Sequence, residues 1–186
     1  MVLLRQDLLF SINQFYFCDM ILSAASLVER FNMLPHPEGG HYLQTYRSEE
    51  HIAITALPER FTGDRCFSTA IYFLLQQGDF SAFHRIRSDE CWHFYAGGRL
   101  NIHIISPDGQ MNTVSLGNDI AAGEHFQYVV PAGYWFASEP ATGTDFSFVG
   151  CTVSPGFDFA DFELAKAAEL IKLYPEHKDM IGRLSR

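Results

Sequence analysis

Along FHRIRSDECWHFYAGG, residues 83 to 98, apolar and polar positions alternate, the period expected of a half-buried strand. The same alternation recurs through most of the chain. STAIYFLL (68–75), FSAFHRI (80–86), ECWHFY (90–95), RLNIHII (99–105), MNTVSL (111–116), HFQYVVP (125–131), YWFASE (134–139) and FSFVGCTVSP (146–155) each read as a strand. Turn signals separate them: Gln77-Gly78-Asp79, Ser88-Asp89, Gly97-Gly98, Pro107-Asp108-Gly109, Gly117-Asn118, Ala132-Gly133 and Gly143. Upstream, HYLQTYRS (41–48) alternates after the turn HPEGG (36–40), and the polar stretch 49–65 reads as a loop or hairpin. Short strands punctuated this regularly predict an all-β barrel or sandwich.

The helical period appears only near the ends. Ser26 with Glu29 makes a capping box for a short amphipathic helix through Met33, stopped by Pro35 and Pro37. DFADFELAKAAELIKLY (158–174) has helical spacing, with Asp158 or Asp161 as N-cap and Pro175 as its stop. Residues 1–19 are apolar, but Arg5, Gln6, Asp7, Asn13, Gln14 and Asp19 interrupt them. That run is too broken to span a bilayer and reads as an extension, with a single domain over 20–186.

Composition adjusts this picture in three places. Seventeen Phe and eight Tyr favour a β-rich core. A net charge of −9 without a Lys/Arg cluster argues against nucleic acid or an anionic membrane as partner, though not against a small anion. Cys18, Cys66, Cys91 and Cys151 lack CxxC spacing, which points to reduced thiols and a cytoplasmic protein.

The candidate chemistry begins with a spacing. Gly78, His84, Ile86, Glu90 and Gly97 resemble the first motif of the cupin superfamily, G-x5-H-x-H-x3-4-E-x6-G, with Ile86 in place of the second histidine. VVPAGYWF resembles the second motif, with Pro131 and Gly133 in place, Phe136 where a histidine would stand, and Gly123 two residues too early. HPEGGHYLQTYRS, STAIYFLL, FHRIRSDECWHFYAGG, VVPAGYWFA and VSPGFDFADFEL further resemble the small cupins of the cupin_5 type, often labelled predicted sugar epimerases. The resemblance implies an RmlC-like jelly-roll β-barrel with short peripheral helices at both ends. It also implies a homodimer whose partner is otherwise a small molecule.

A cupin metal site usually takes three histidines and a carboxylate. Here only His84 and Glu90 stand at ligand positions, so the expectation is a pocket with no metal and no other cofactor. The function expected is binding of a sugar, nucleotide sugar or similar metabolite, with metal-independent epimerase or isomerase chemistry by proton abstraction next to a carbonyl. Two alternatives stay open: a non-catalytic metabolite-binding cupin, and a metal-dependent dioxygenase or isomerase.

In the catalytic reading His84 is the general base and Glu90 its partner or the acid; otherwise His84 is a core histidine bonded to Glu90. Alternation places Glu90, Trp92 and Phe94 on the inner face, where Tyr134 and Phe136 join them as substrate walls or plain core. Gln127 is a further substrate-binding candidate. Arg47 is either an anion clamp or a surface ion-pair partner. Tyr46 and Arg47 cannot both face inward in a regular strand. Cys91, His93 and Trp135 fall on the outer face, where a dimer partner's sheet can cover them. Glu38 reads as a turn residue whose neighbouring glycines bring backbone towards a ligand. His36, His41, His51 and His177 read as loop or surface residues.

Overall fold

A computed structural model describes residues 22–186. The proposed extension over residues 1–19, and Cys18 with it, lie outside the described residues. The elements follow as α1 (Ala24–Phe31), β1 (Leu34–Pro35), β2 (His41–Arg47), β3 (His51–Ile52), β4 (Arg65–Cys66) and β5 (Thr69–Gln76). Next come β6 (Ser81–Arg85), β7 (Asp89–Gly97), β8 (Leu100–Ile105), β9 (Met111–Leu116), β10 (Gln127–Val130), β11 (Trp135–Pro140) and β12 (Phe146–Ser154). The chain ends through β13 (Glu163–Leu164), α2 (Ala167–Leu173) and α3 (Lys178–Arg183).

Two sheets make a jelly roll, one of six strands in the order β1-β2-β5-β12-β7-β10, the other of five in the order β13-β6-β11-β8-β9. They are not joined into a closed barrel; the strands face each other as a sandwich. Phe73, Trp92, Phe136, Ile102, Leu116 and Val149 fill the space between, each nearly or fully excluded from water. Each such aliphatic or aromatic side chain contributes on the order of 2 kcal/mol by leaving water.

Helix α1 starts one turn earlier than the sequence suggests. Its cap is Ser23, which accepts from the Ser26 N–H while its own N–H donates to Ser26 Oγ, so the box closes on Ser26 rather than opening there. Leu27 and Met33 then pack on Leu74 and Phe148 across the outer face of the six-stranded sheet.

The C-terminal helix also differs from expectation. Asp158 caps only a short 3-10 turn over Phe159–Asp161, after which β13 pairs with β6, and α2 begins at Ala167. Pairing with an open sheet edge displaces the helix that the local spacing favours. Helices α2 and α3 then cover the outer side of the five-stranded sheet. Leu170, Ile181 and Leu184 bury Phe83 and Trp135, so Trp135 is covered by its own chain rather than by a partner. Among the described residues, no helix is long and apolar enough to cross a membrane. Cys66, Cys91 and Cys151 are free thiols.

Candidate functional site

Inward-facing positions of β2, β5, β7 and β12, with His84 from the opposite sheet, surround a cavity of about 210 Å³ at one end of the sandwich. The 36–40 turn closes one side, bringing in His36 and Glu38. Phe157 and Phe159 close another from the strap between β12 and β13. His36 and Glu38, expected to lie in an ordinary turn, are pocket residues with side chains only 8% exposed. The glycine pair behind them makes this possible. Gly39 and Gly40 have φ of 121° and 67°, and a Cβ at either would strike the carbonyl oxygens of Phe80 and Leu74. The turn therefore lies flush against the sheet and points Glu38 inward, while the Glu38 carbonyl accepts from the Ala82 N–H at 2.8 Å.

His84 is almost completely buried and its tautomer is fixed by geometry. Nδ1 lies 2.8 Å from the Ala82 carbonyl, an acceptor only, so Nδ1–H donates there. Nε2 then faces Glu38 Oε2 at 3.2 Å. A proton must occupy that contact, either on the carboxyl or on the ring. Glu38 also lies 3.5 Å from His36 Nδ1, which accepts from the Glu38 N–H at 3.4 Å. His36 in turn packs edge-on against Tyr42.

Electrostatics follow from burial. Desolvation pushes the Glu38 carboxyl up, opposed by the nearby His36, and holds His84 below its ordinary value, opposed by Glu90. Glu90 is pushed up from 4.5 to about 7, mainly by burial and further by Glu38, with His84 opposing. Beside it, burial and the Glu90 charge hold the Cys151 thiol well above its usual range. Burial therefore favours the uncharged forms of Glu38 and His84, which share one proton, and poises Glu90 between its two forms near neutral pH.

Of the residues expected from sequence, His84 and Glu90 share this cavity. Arg47 stands at its mouth because of a β-bulge. Gln44 pairs with Ile71 but Tyr46 with Ala70, so Thr45 is the extra residue. The bulge puts Arg47, paired with Thr69, on the inner face with Tyr42 and Gln44, and sends Tyr46 out. Arg47 donates to the Phe157 carbonyl at 3.2 Å, and the Phe157 N–H donates to Thr69 Oγ1 at 3.0 Å.

The aromatic walls do not line the cavity. Trp92 and Phe136 are buried core, with Phe136 seated 4.1 Å from the His84 ring, centroid to centroid. Phe94 and Tyr134 are half-buried against the same core. Gln127 is exposed and pairs across β7 with His93, which puts it on the outer face. Besides His36 and Glu38, Cys151 is a pocket residue that sequence reasoning missed. The acid directly before a glycine pair was the available signal for the turn; nothing local marks Cys151.

The metal pattern of cupins does not fit. Phe136 packs on His84 where a ligand would stand, and Ile86 lines a different cleft. Among the described residues no three His, Cys, Asp or Glu side chains are placed to hold a metal ion together.

Comparison with known proteins agrees with this architecture. A protein of Shewanella oneidensis, SO0799, is 43% identical, with a TM-score of 0.79 over 89% of this chain and 99% of its own. A hypothetical protein from Leishmania major is 35% identical, with a TM-score of 0.80 over 88% of this chain and 99% of its own. The uncharacterized protein YML079W of Saccharomyces cerevisiae is 29% identical over 159 residues, 81% of this chain and 79% of that one. The family described as cupin superfamily (DUF985) matches residues 25–165, and this chain belongs to it.

Proposed function

We propose that the cavity binds a small carbonyl-bearing metabolite of the sugar class and moves a proton on the carbon next to the carbonyl. One observation carries this: a fixed imidazole, a carboxyl sharing a proton with its Nε2, and a second carboxyl titrating near neutrality all border one small cavity. A base poised near the working pH is what enolisation needs.

In the step proposed, the Glu90 carboxylate takes the proton from the α-carbon. The C–H electrons form the carbon–carbon double bond, and the carbonyl π pair moves to oxygen. That oxygen receives the proton held between Glu38 Oε2 and His84 Nε2, leaving Glu38 ionised and the imidazole neutral. With a sugar the intermediate is an enediol. Glu90 returns its proton to the former carbonyl carbon, and the α-hydroxyl gives its proton to the ionised Glu38. The new carbonyl forms at the neighbouring carbon, which makes the isomer and restores both carboxyl groups. No step uses a metal. Relative to the expectation from sequence, the base is Glu90 and His84 belongs to the acid.

The test is proton exchange. The protein is incubated in D2O with a panel of aldoses, ketoses, their phosphates and nucleotide sugars, and deuterium at the α-carbon is followed by NMR. Exchange with at least one compound, rising with pH about a midpoint near 7 and falling at least a hundredfold in Glu90→Gln, is the expected result. Compounds that raise the melting temperature yet show no exchange overturn the catalytic reading and leave a metabolite-binding cupin.

A further inference from the structure

On the far side of the 157–164 strap from this cavity lies a second cleft of about 430 Å³, and its charge is opposite to that of the whole chain. Arg60, Arg85 and Arg87 line it, and the buried Arg65 stands behind it, against two lining carboxylates, Asp161 and Glu163. Both carboxylates are already engaged. Asp161 is gripped at both oxygens by Arg65, at 2.6 Å each, and Glu163 binds Arg85 at 2.7 to 2.8 Å while Arg85 stacks on Trp135.

That leaves Arg60 and Arg87 in excess. Arg87 Nε reaches Asp161 only at 3.8 Å, and no carboxylate of the described residues lies within ion-pairing distance of Arg60. Their positions are nonetheless built. Arg60 Nε donates to the Arg87 carbonyl at 2.6 Å, and Arg87 donates from one terminal nitrogen to the Arg60 carbonyl at 2.8 Å. Each arginine spends one N–H on the other's backbone, which ties both side chains to the same wall of the cleft and leaves their other N–H groups without a hydrogen bond among the described residues. Two fixed guanidinium forks with surplus positive charge match a tetrahedral dianion better than any carboxylate in the cleft.

We propose that this cleft is a binding site for a phosphate group, held between Arg60 and Arg87. It is separate from the candidate site. Phe162 forms a wall of the cleft and packs 5.4 Å from the His84 ring, so it stands between the two. Arg47, the cation at the mouth of the first cavity, does not line the second. The observations are the arginines and their geometry, and they do not depend on the enolisation chemistry proposed for the cavity.

The experiment is calorimetric titration of the full chain with inorganic phosphate and with phenyl phosphate, at ionic strength held constant with sodium chloride. The expected result is saturable binding of at least one of the two, weakened tenfold or more in Arg60→Met and in Arg87→Met, and unchanged in Arg47→Met. Arg60 is exposed, so its replacement leaves the fold intact; urea unfolding of each variant verifies this, and Arg60→Lys restores part of the affinity. Tighter binding of phenyl phosphate supports the site and assigns a phosphate ester as its occupant; equal or tighter binding of inorganic phosphate supports it and assigns the free ion. No saturable binding beyond the chloride control overturns the proposal. So does binding that survives both arginine substitutions or disappears in Arg47→Met.

Discussion

Glu90 is the residue on which the proposed chemistry turns, and its burial has a cost that can be measured. Its carboxyl titrates near 7 in the folded chain against 4.5 ordinarily, so folded protein holds the proton more tightly than unfolded protein between those values. Stability from this group is therefore complete below pH 4.5 and is lost as pH rises through about 7. The interval corresponds to roughly 3 kcal/mol. Glu90→Gln keeps the shape of the protonated carboxyl and cannot ionise. In urea unfolding, the stability of the variant relative to wild type rises by about that amount between pH 4.5 and pH 8. A difference that stays constant with pH means that Glu90 titrates normally in the folded protein. The sequence made this residue and His84 visible because both sit in a spacing tied to consecutive strands, where alternation alone sets the face. Glu38 and His36 were not visible in the same way. Their place depends on two glycines lying flat against carbonyls from elsewhere in the chain, a contact that no local pattern encodes.

Among the elements, regular strands were legible and their irregularities were not. The strands carrying His84 and Glu90 lie where period-two alternation and turn residues put them, because both signals act over a few residues. The bulge at Thr45 follows from pairing between β2 and β5, and it alone moves Arg47 to the inner face. The strap over Phe157–Leu164 was read as the start of a helix, but its fixed points are distant. The firmest is Arg65 on Asp161, both about 95% excluded from water. Removing one partner of such a pair leaves a buried charge without compensation. Arg65→Met is expected to destabilise the fold by roughly 3 kcal/mol, the lower end of the usual range for such a loss, since Arg87 lies 3.8 Å from the same carboxylate. Replacing both, as Arg65→Met with Asp161→Leu, recovers most of the loss in denaturant unfolding. A single substitution costing under about 1 kcal/mol contradicts this role for the pair.

At the scale of the whole molecule, the C-terminal helices hold the strand that presents His84. The Phe83 N–H donates to the Leu184 carbonyl and the Phe83 carbonyl accepts from the Ala165 N–H, both at 2.8 Å, one residue before His84. Ile181 and Leu184 are wholly buried against Phe83 and Trp135, and Arg183 anchors the same helix to Glu139, which also binds His103 at 3.0 Å. The far end of the chain thus sets the position of an imidazole whose strand forms a hundred residues earlier. Ile181→Ala removes a buried side chain at the centre of this contact, and such truncations cost about 2 to 5 kcal/mol. Thermal unfolding should show a loss in that range. Because the cavity and α3 lie on opposite sides of β6, the same variant should also loosen the His84 ring. Its Nδ1–H, bonded to the Ala82 carbonyl, should exchange with solvent faster in NMR than in wild type, while Glu90, held by the other sheet, keeps its titration near 7. Loss of stability without faster exchange at His84 separates the helices from the site and confines their role to the core.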